Sequence, residues 1–136
     1  MPHSHTEGAA SFHGLGLAPA LLQILEHLHF KTPTPIQAQA IPIAITGKDV
    51  AGIAQTGTGK TLAFGLPMIQ RLAQVKGQGL VVLPTRELAL QVDEMLGKIG
   101  RSLHLRTAVL IGGTGMGAQI RALSNNPHII IATPGR

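Results

Sequence analysis

The sequence predicts an α/β fold, a parallel β-sheet flanked by helices on both faces. Three observations carry that prediction. Apolar runs at 50–54, 80–83, 105–111 and 128–132 have the length and composition of buried strands, and helical patterns alternate with them. A glycine- or proline-bearing turn follows each run. Finally, 136 residues with 44% hydrophobic and only 12% charged side chains suit one modest core, with disorder confined to the ends.

Taken in order, residues 1–11 read as a disordered N-terminal tail, in which His3 and His5 have no structured neighbours with which to bind a metal. Ala18-Pro19 opens a helix with Leu21, Leu25 and Leu28 as its buried stripe. His27 and His29, two apart, face different sides and share no metal. In His29-Phe30-Lys31-Thr32-Pro33-Thr34-Pro35-Ile36-Gln37 the prolines set an extended entry and a second helix start, with Gln37 in its first turns. The strand 50–54 follows, then a helix with Leu62, Leu66, Ile69 and Leu72 on one face. Strand 80–83 turns through Pro84-Thr85-Arg86 into a helix with Leu88, Val92, Met95 and Ile99 on one face and Gly100 as its stop. Strand 105–111 runs into Gly112-Gly113-Thr114-Gly115 and a short helix outlined by Met116, Ile120 and Leu123. Asn125-Asn126-Pro127 breaks it, and strand 128–132 ends in Thr133-Pro134-Gly135-Arg136. In parallel α/β sheets function gathers at the carboxyl ends of the strands, where all four turns are expected.

Composition excludes several classes. There is no cysteine, hence no disulfide framework or thiolate metal site, which fits a cytoplasmic protein. No cationic-then-apolar leader opens the chain, and the uncharged stretch 32–47 is broken by Pro33, Pro35 and Pro42, so no membrane span is expected. The net charge of +5 is uneven: Lys98, Arg101, Arg106, Arg121 and Arg136 follow the last acid, Glu94. Two readings fit that excess, a surface for a polyanion or merely sparse charge without balancing acids.

The chemistry is concentrated at Ala54-Gln55-Thr56-Gly57-Thr58-Gly59-Lys60-Thr61. Between a strand and a helix, such a run is the phosphate-binding loop of nucleotide-binding proteins. Gly57 and Gly59 let backbone N–H groups approach phosphate oxygens. Lys60 supplies a point charge, Thr61 a hydroxyl for Mg²⁺, and the helix N-terminus its partial positive charge. The first position is Ala54 rather than glycine. A plain glycine-rich turn with a solvated Lys60 is the competing reading; the adjacency of Gly59, Lys60 and Thr61 opposes it. Just upstream, the Phe30 ring can stack on a base and the Gln37 amide can pair with the N6 and N7 edge of adenine. Gly113-x-Gly115-x-x-Ala118 matches a loose dinucleotide fingerprint, but no carboxylate follows Glu94 to hold a ribose.

Together these pieces resemble the DEAD-box ATP-dependent RNA helicases, specifically the N-terminal part of their first RecA-like domain. His29 to Gln37 is similar to that family's Q motif, with Phe12 where it carries an isolated aromatic. Ala54 to Thr61 resembles motif I, which accounts for Ala54. Pro84-Thr85-Arg86-Glu87-Leu88-Ala89 resembles motif Ia, Gly112-Gly113 the GG element and Thr133-Pro134-Gly135-Arg136 motif Ib. His29 stands where the Q motif usually has glycine, and Thr32 where it often has a charge.

The resemblance implies that 12–136 are part of a RecA-like P-loop domain, ending before the acidic Asp-Glu-Ala-Asp motif. It implies ATP bound by Phe30, Thr32, Gln37 and Ala54 to Thr61, with Lys60 and Thr61 catalytic and Thr61 on Mg²⁺. It implies sequence-independent binding of an RNA backbone, single strand or short duplex, by Pro84, Thr85, Arg86, Gly112, Gly113, Thr133, Pro134, Gly135 and Arg136. Phe12, Phe30 and Phe64 are too few aromatics for a row of base-stacking platforms, in keeping with backbone contact. Without the acidic motif and a second domain, these residues alone are expected to bind nucleotide weakly, not to hydrolyse it, and to be marginally stable. Two other classes stay open: a P-loop ATPase or GTPase unrelated to nucleic acid, and a non-catalytic RNA-binding module.

Overall fold

The computed structural model describes residues 11–54, 59–113 and 115–136. The chain divides into two compact units, Met1–Arg71 and Leu72–Arg136. The expected tail up to Ala10, the turn residues Gln55 to Thr58, and Thr114 lie outside the described residues.

In the first unit, α1 is Pro19–His27, with Pro19 directly after the extended N-cap Ala18 and with Leu21 and Leu25 buried. It closes on a left-handed residue: His29 has φ +66°, its N–H donates to Glu26 O (3.0 Å), and Phe30 N–H donates to Leu25 O (2.8 Å). That paired bonding is a Schellman cap, whose left-handed position favours glycine. The departure at His29 therefore keeps the turn and carries a strain of about 1 kcal/mol. Helix α2, Pro35–Ala44, begins at Thr34 with a capping box. The segment before α1 is held by Gln70, whose Oε1 accepts from Ala18 N–H (2.7 Å) and whose Nε2 donates to Gly16 O (3.2 Å). Gln70 lies on α3, Lys60–Gln74, where Leu62, Leu66 and Ile69 of the expected face are buried and Leu72 is half-buried.

The strand expected at 50–54 is absent. Residues 51–54 have no regular structure, Val50 is exposed and Ile53 is 100% exposed. A strand requires a neighbour for its backbone groups, and no described strand pairs with this run. Two alanines and a glycine also give it little side chain to bury; Gly52 rests on Ile36, 3.0 Å from where a Cβ would stand.

Among its described residues the second unit holds the three strands expected there: β1 Gly79–Val82, β2 Thr107–Leu110 and β3 Ile129–Ala132. They form a parallel sheet in the order β1-β3-β2. Ile129 and Ile131 of the central strand are fully buried, as the continuous apolar run predicts. Helix α4, Arg86–Arg101, packs against β2 and β3, and α5, Met116–Ser124, packs against β2. Thr107 Oγ1 donates to Asp93 Oδ1 (2.6 Å), tying α4 to β2.

Two expectations about this unit fail, the stop at Gly100 and the cover on both faces of the sheet. The inward face of α4 is Ala89, Val92, Leu96 and Ile99, with Leu88 exposed and Met95 only half-buried. Both sets have helical spacing, and which faces the sheet is decided by packing. Gly100 does not stop α4: it lies inside the last turn, where a Cβ would stand 3.3 Å from Leu105 Cβ. The turn comes at His104 (φ +61°), with Leu105 N–H donating to Gly100 O (2.9 Å). On α5 the apolar outline is outward, Met116, Ile120 and Leu123 being exposed while Gln119 is buried. Nor is the sheet covered everywhere, since Leu80 and Val82 of β1 are 63% and 59% exposed.

Candidate functional site

In the first unit one of the expected nucleotide residues, Gln37, reaches Gly59, and Thr34 lies beside it. Thr34 Oγ1 accepts from Gln37 N–H (3.4 Å), and Thr34 N–H donates to Gln37 Oε1 (2.9 Å). The other end of the same amide reaches across the chain, Gln37 Nε2 donating to Gly59 O (3.0 Å). Gln37 is only 3% exposed. Gly59 has φ +87°, and a Cβ there would collide with Gln37 Nε2 and stand 2.9 Å from Thr34 Oγ1. Glycine is required at this point by its backbone angle and by the approach of the amide.

An amide offers two donors and two acceptor positions. The bonds to Thr34 and Gly59 use one of each, so one of each is left, the complement that the N6 and N7 edge of adenine presents. Phe30 is half-buried and borders a cavity of about 220 Å³ together with Phe12, Leu25, Glu26 and Lys31. Phe12 itself is buried and acts as core. Thr32 is exposed and Ala54 half-buried.

Lys60 is exposed and Thr61 half-buried in the first turn of α3. The first N–H groups of a helix have no intrahelical acceptor, which suits them to an anion. Gln55, Thr56, Gly57 and Thr58, the rest of the expected phosphate loop, lie outside the described residues. Among the described residues no group of three His, Cys, Asp or Glu side chains could hold a metal ion. The Thr61 hydroxyl is an oxygen donor of the kind Mg²⁺ accepts beside phosphate and water oxygens.

In the second unit the expected RNA residues leave the sheet at one edge, the carboxyl ends of its strands. Pro84, Thr85 and Arg86 follow β1, Thr133 to Arg136 follow β3, and Gly112-Gly113 follow β2. The ladder runs into these loops: Leu83 N–H donates to Ala132 O (2.9 Å) and Thr133 N–H to Leu110 O (3.1 Å). Thr85 caps α4, its Oγ1 accepting from Leu88 N–H (3.2 Å) and keeping its own hydrogen to donate. The Arg86 guanidinium lies over Gly113, Nη1 being 2.7 Å from where a Cβ would stand, at φ +83°. Arg136 Nη1 is 3.4 Å from Met116 Sδ.

The charge excess is not all at this edge. Arg106, at the start of β2, donates through Nε to Asn125 O (3.2 Å) and through Nη2 to Asn126 O (2.8 Å). Lys98 pairs with Glu94 (3.5 Å) on the surface of α4. Arg86 and Arg136 remain at the loop edge.

Two contributors escaped the sequence reading. Thr34 was legible, because Thr-x-x-Gln before an apolar run is a capping box. Gln119 was not. Its Nε2 donates to Ile111 O (2.6 Å), and it sits at a helix position where the apolar spacing points elsewhere.

The family model described as DEAD/DEAH box helicase matches residues 34–136. The chain belongs to that family. Among curated relatives, the ATP-dependent rRNA helicase RRP3 of Pyricularia oryzae is 50% identical over 139 residues, covering 100% of this chain and 26% of that protein. The DEAD-box ATP-dependent RNA helicase CshA of Bacillus cereus is 52% identical over 128 residues, covering 93% and 24%. The chain thus spans about a quarter of the length of the curated relatives it matches.

Solved DEAD-box structures agree. The RNA-helicase Prp28 from Chaetomium thermophilum bound to ADP superimposes with a TM-score of 0.84 at 39% identity, over 93% of this chain and 32% of that one. A DEAD box protein from Methanococcus jannaschii gives 0.84 at 34% identity, over 93% and 35%. The parallel sheet with flanking helices is therefore that of the RecA-like domain of these helicases.

Proposed function

We propose that this chain is the nucleotide- and RNA-contacting part of an ATP-dependent RNA helicase. The observation that carries the reading is the bond from Gln37 Nε2 to Gly59 O, which joins the adenine-reading amide to the phosphate loop through one side chain. Phe30 stacks on the base and Gln37 selects adenine with its remaining donor and acceptor. The amides of the loop and of the α3 start, with Lys60, hold the phosphates, and Thr61 takes Mg²⁺, which when bound neutralises phosphate charge.

At the strand ends, Arg86 and Arg136 supply charge and the turns at Gly112-Gly113 and Gly135 let a sugar–phosphate chain approach the backbone. Backbone contact reads no sequence, so single strands and short duplexes of any sequence are accepted. In the whole protein, ATP and RNA binding reinforce one another and drive local strand separation. The test is affinity for a short single-stranded RNA in the full-length protein, with and without a non-hydrolysable ATP analogue and Mg²⁺. Tighter binding with the analogue is expected; equal affinity would overturn the proposal, as would a Gln37→Ala variant that still prefers ATP to GTP as strongly as the parent. A nucleotide-independent RNA-binding module would show equal affinity, and a P-loop enzyme unrelated to nucleic acid no RNA affinity at all.

A further inference from the structure

Gln119 is buried on a helix whose apolar side chains Met116, Ile120 and Leu123 are exposed. A primary amide is put in such a place only at a cost, unless it is hydrogen-bonded. Here Nε2 donates at 2.6 Å to the carbonyl of Ile111, the last residue before Gly112-Gly113. Three further contacts radiate from that point. Gly113 lies under the Arg86 guanidinium. Met116, one turn before Gln119 on α5, meets Arg136 through its sulfur. The carbonyl of Leu110, next to Ile111, accepts from Thr133 N–H (3.1 Å).

We infer that Gln119 is a positioning residue for RNA: it pins the entry to the Gly112-Gly113 turn and the seating of α5, and so sets the placement of Arg86 and Arg136. The inference rests on the RNA reading proposed above. Gln119 touches no phosphate. Its effect passes through the Ile111 carbonyl, and a helix free to shift by a fraction of a turn would carry Met116, and with it the contact to Arg136, away from the strand ends. The amide also explains why α5 needs no apolar inward face: a directional bond fixes one rotation of the helix, which a greasy stripe would fix less sharply.

The test uses the full-length protein and two variants. Gln119→Met removes the donor while keeping length and burial, and Gln119→Glu keeps the shape but, in its ionised form, cannot donate to a carbonyl. The RNA concentration that half-saturates ATPase is expected to rise about tenfold in both, the scale of one lost buried hydrogen bond. The maximal rate, KM for ATP and the slope of log affinity against log salt stay unchanged, because a neutral amide releases no counterions. Arg86→Ala, in contrast, lowers that slope by about one.

Parental RNA dependence in Gln119→Met overturns the inference, and so does a parallel rise in KM for ATP, which would mark a general folding defect. If Arg86→Ala and Arg136→Ala also leave RNA affinity unmoved, the RNA reading itself falls. If those two weaken binding and Gln119→Met does not, only the role of Gln119 falls. Should both Gln119 variants fail to fold, hydrogen exchange of the wild-type protein decides. Slow exchange at Gly112 and Gly113 before RNA is added upholds a pinned turn; open-loop rates refute it.

Discussion

The segment proposed for nucleotide and the strand-end edge proposed for RNA are held in place by different means. Around Gly59, order depends on side-chain amides: Gln37 joins Thr34 to Gly59, and Gln70 joins α3 to the chain before α1. At the RNA edge the loops are extensions of a parallel ladder, whose backbone bonds continue to Leu83 and Thr133. A ladder shares its load among many bonds, whereas an amide hub concentrates it in one residue. The nucleotide segment is thus open to being made or unmade by one contact, while the RNA edge changes its charge more readily than its shape.

Gly59→Ala is the severest way to break that contrast. The new methyl meets Gln37 Nε2 and Thr34 at a left-handed backbone angle, and a loss of about 3 kcal/mol is expected in urea unfolding, with ATP affinity falling alongside. Gln37→Ala removes the hub more gently, at about 2 kcal/mol for two bonds, and should raise KM for ATP far more than the RNA requirement. If RNA half-saturation rose as much as KM for ATP, the two segments would not be held independently. On the other side, Arg86→Ala should weaken binding to RNAs of different sequence equally, with little change in melting temperature. A sequence-dependent loss would contradict backbone contact. The smallest effect is a gain: His29→Gly should stabilise the protein by about 1 kcal/mol in urea unfolding, because the left-handed cap then loses its strain. An unchanged or lowered midpoint would mean that His29 makes a compensating contact.

Much of this architecture could be read from residues alone. Pro19 and Pro35 mark the helix starts, β2 and β3 fall within the runs at 105–111 and 128–132, and β1 overlaps the run at 80–83 from one residue earlier, because apolar stretches bounded by turns are strands wherever a partner exists. The run 50–54 shows the limit of that rule, for its composition says nothing about whether a neighbour is present. Helix faces were half legible: the period identifies a helix, but Ala89 and Leu96 displaced Leu88 and Met95 once the sheet had chosen a side. His29 and His104 in left-handed caps were hidden because glycine is the residue that announces such a turn, and each stands in its place. The candidate site was drawn from motifs of consecutive residues, of which the structure brings Gln37 and Gly59 together. Gln119 was invisible because its role comes from a partner eight residues away and from a burial that no spacing signals.

Arg106 carries one more lesson. Its fork is engaged with the carbonyls of Asn125 and Asn126, its own N–H donates to His128 Nδ1 (3.0 Å), and it stands at the start of β2, at the far end of the sheet from the loops. The side chain is exposed and keeps its charge, but its fork is committed to two carbonyls and it stands away from the strand-end loops. Arg106→Lys would preserve every term in a charge tally while loosening the knot that closes the bottom of the sheet. On the RNA reading proposed above, what counts is which guanidinium groups stand at the strand ends with donors to spare, not how many the chain has.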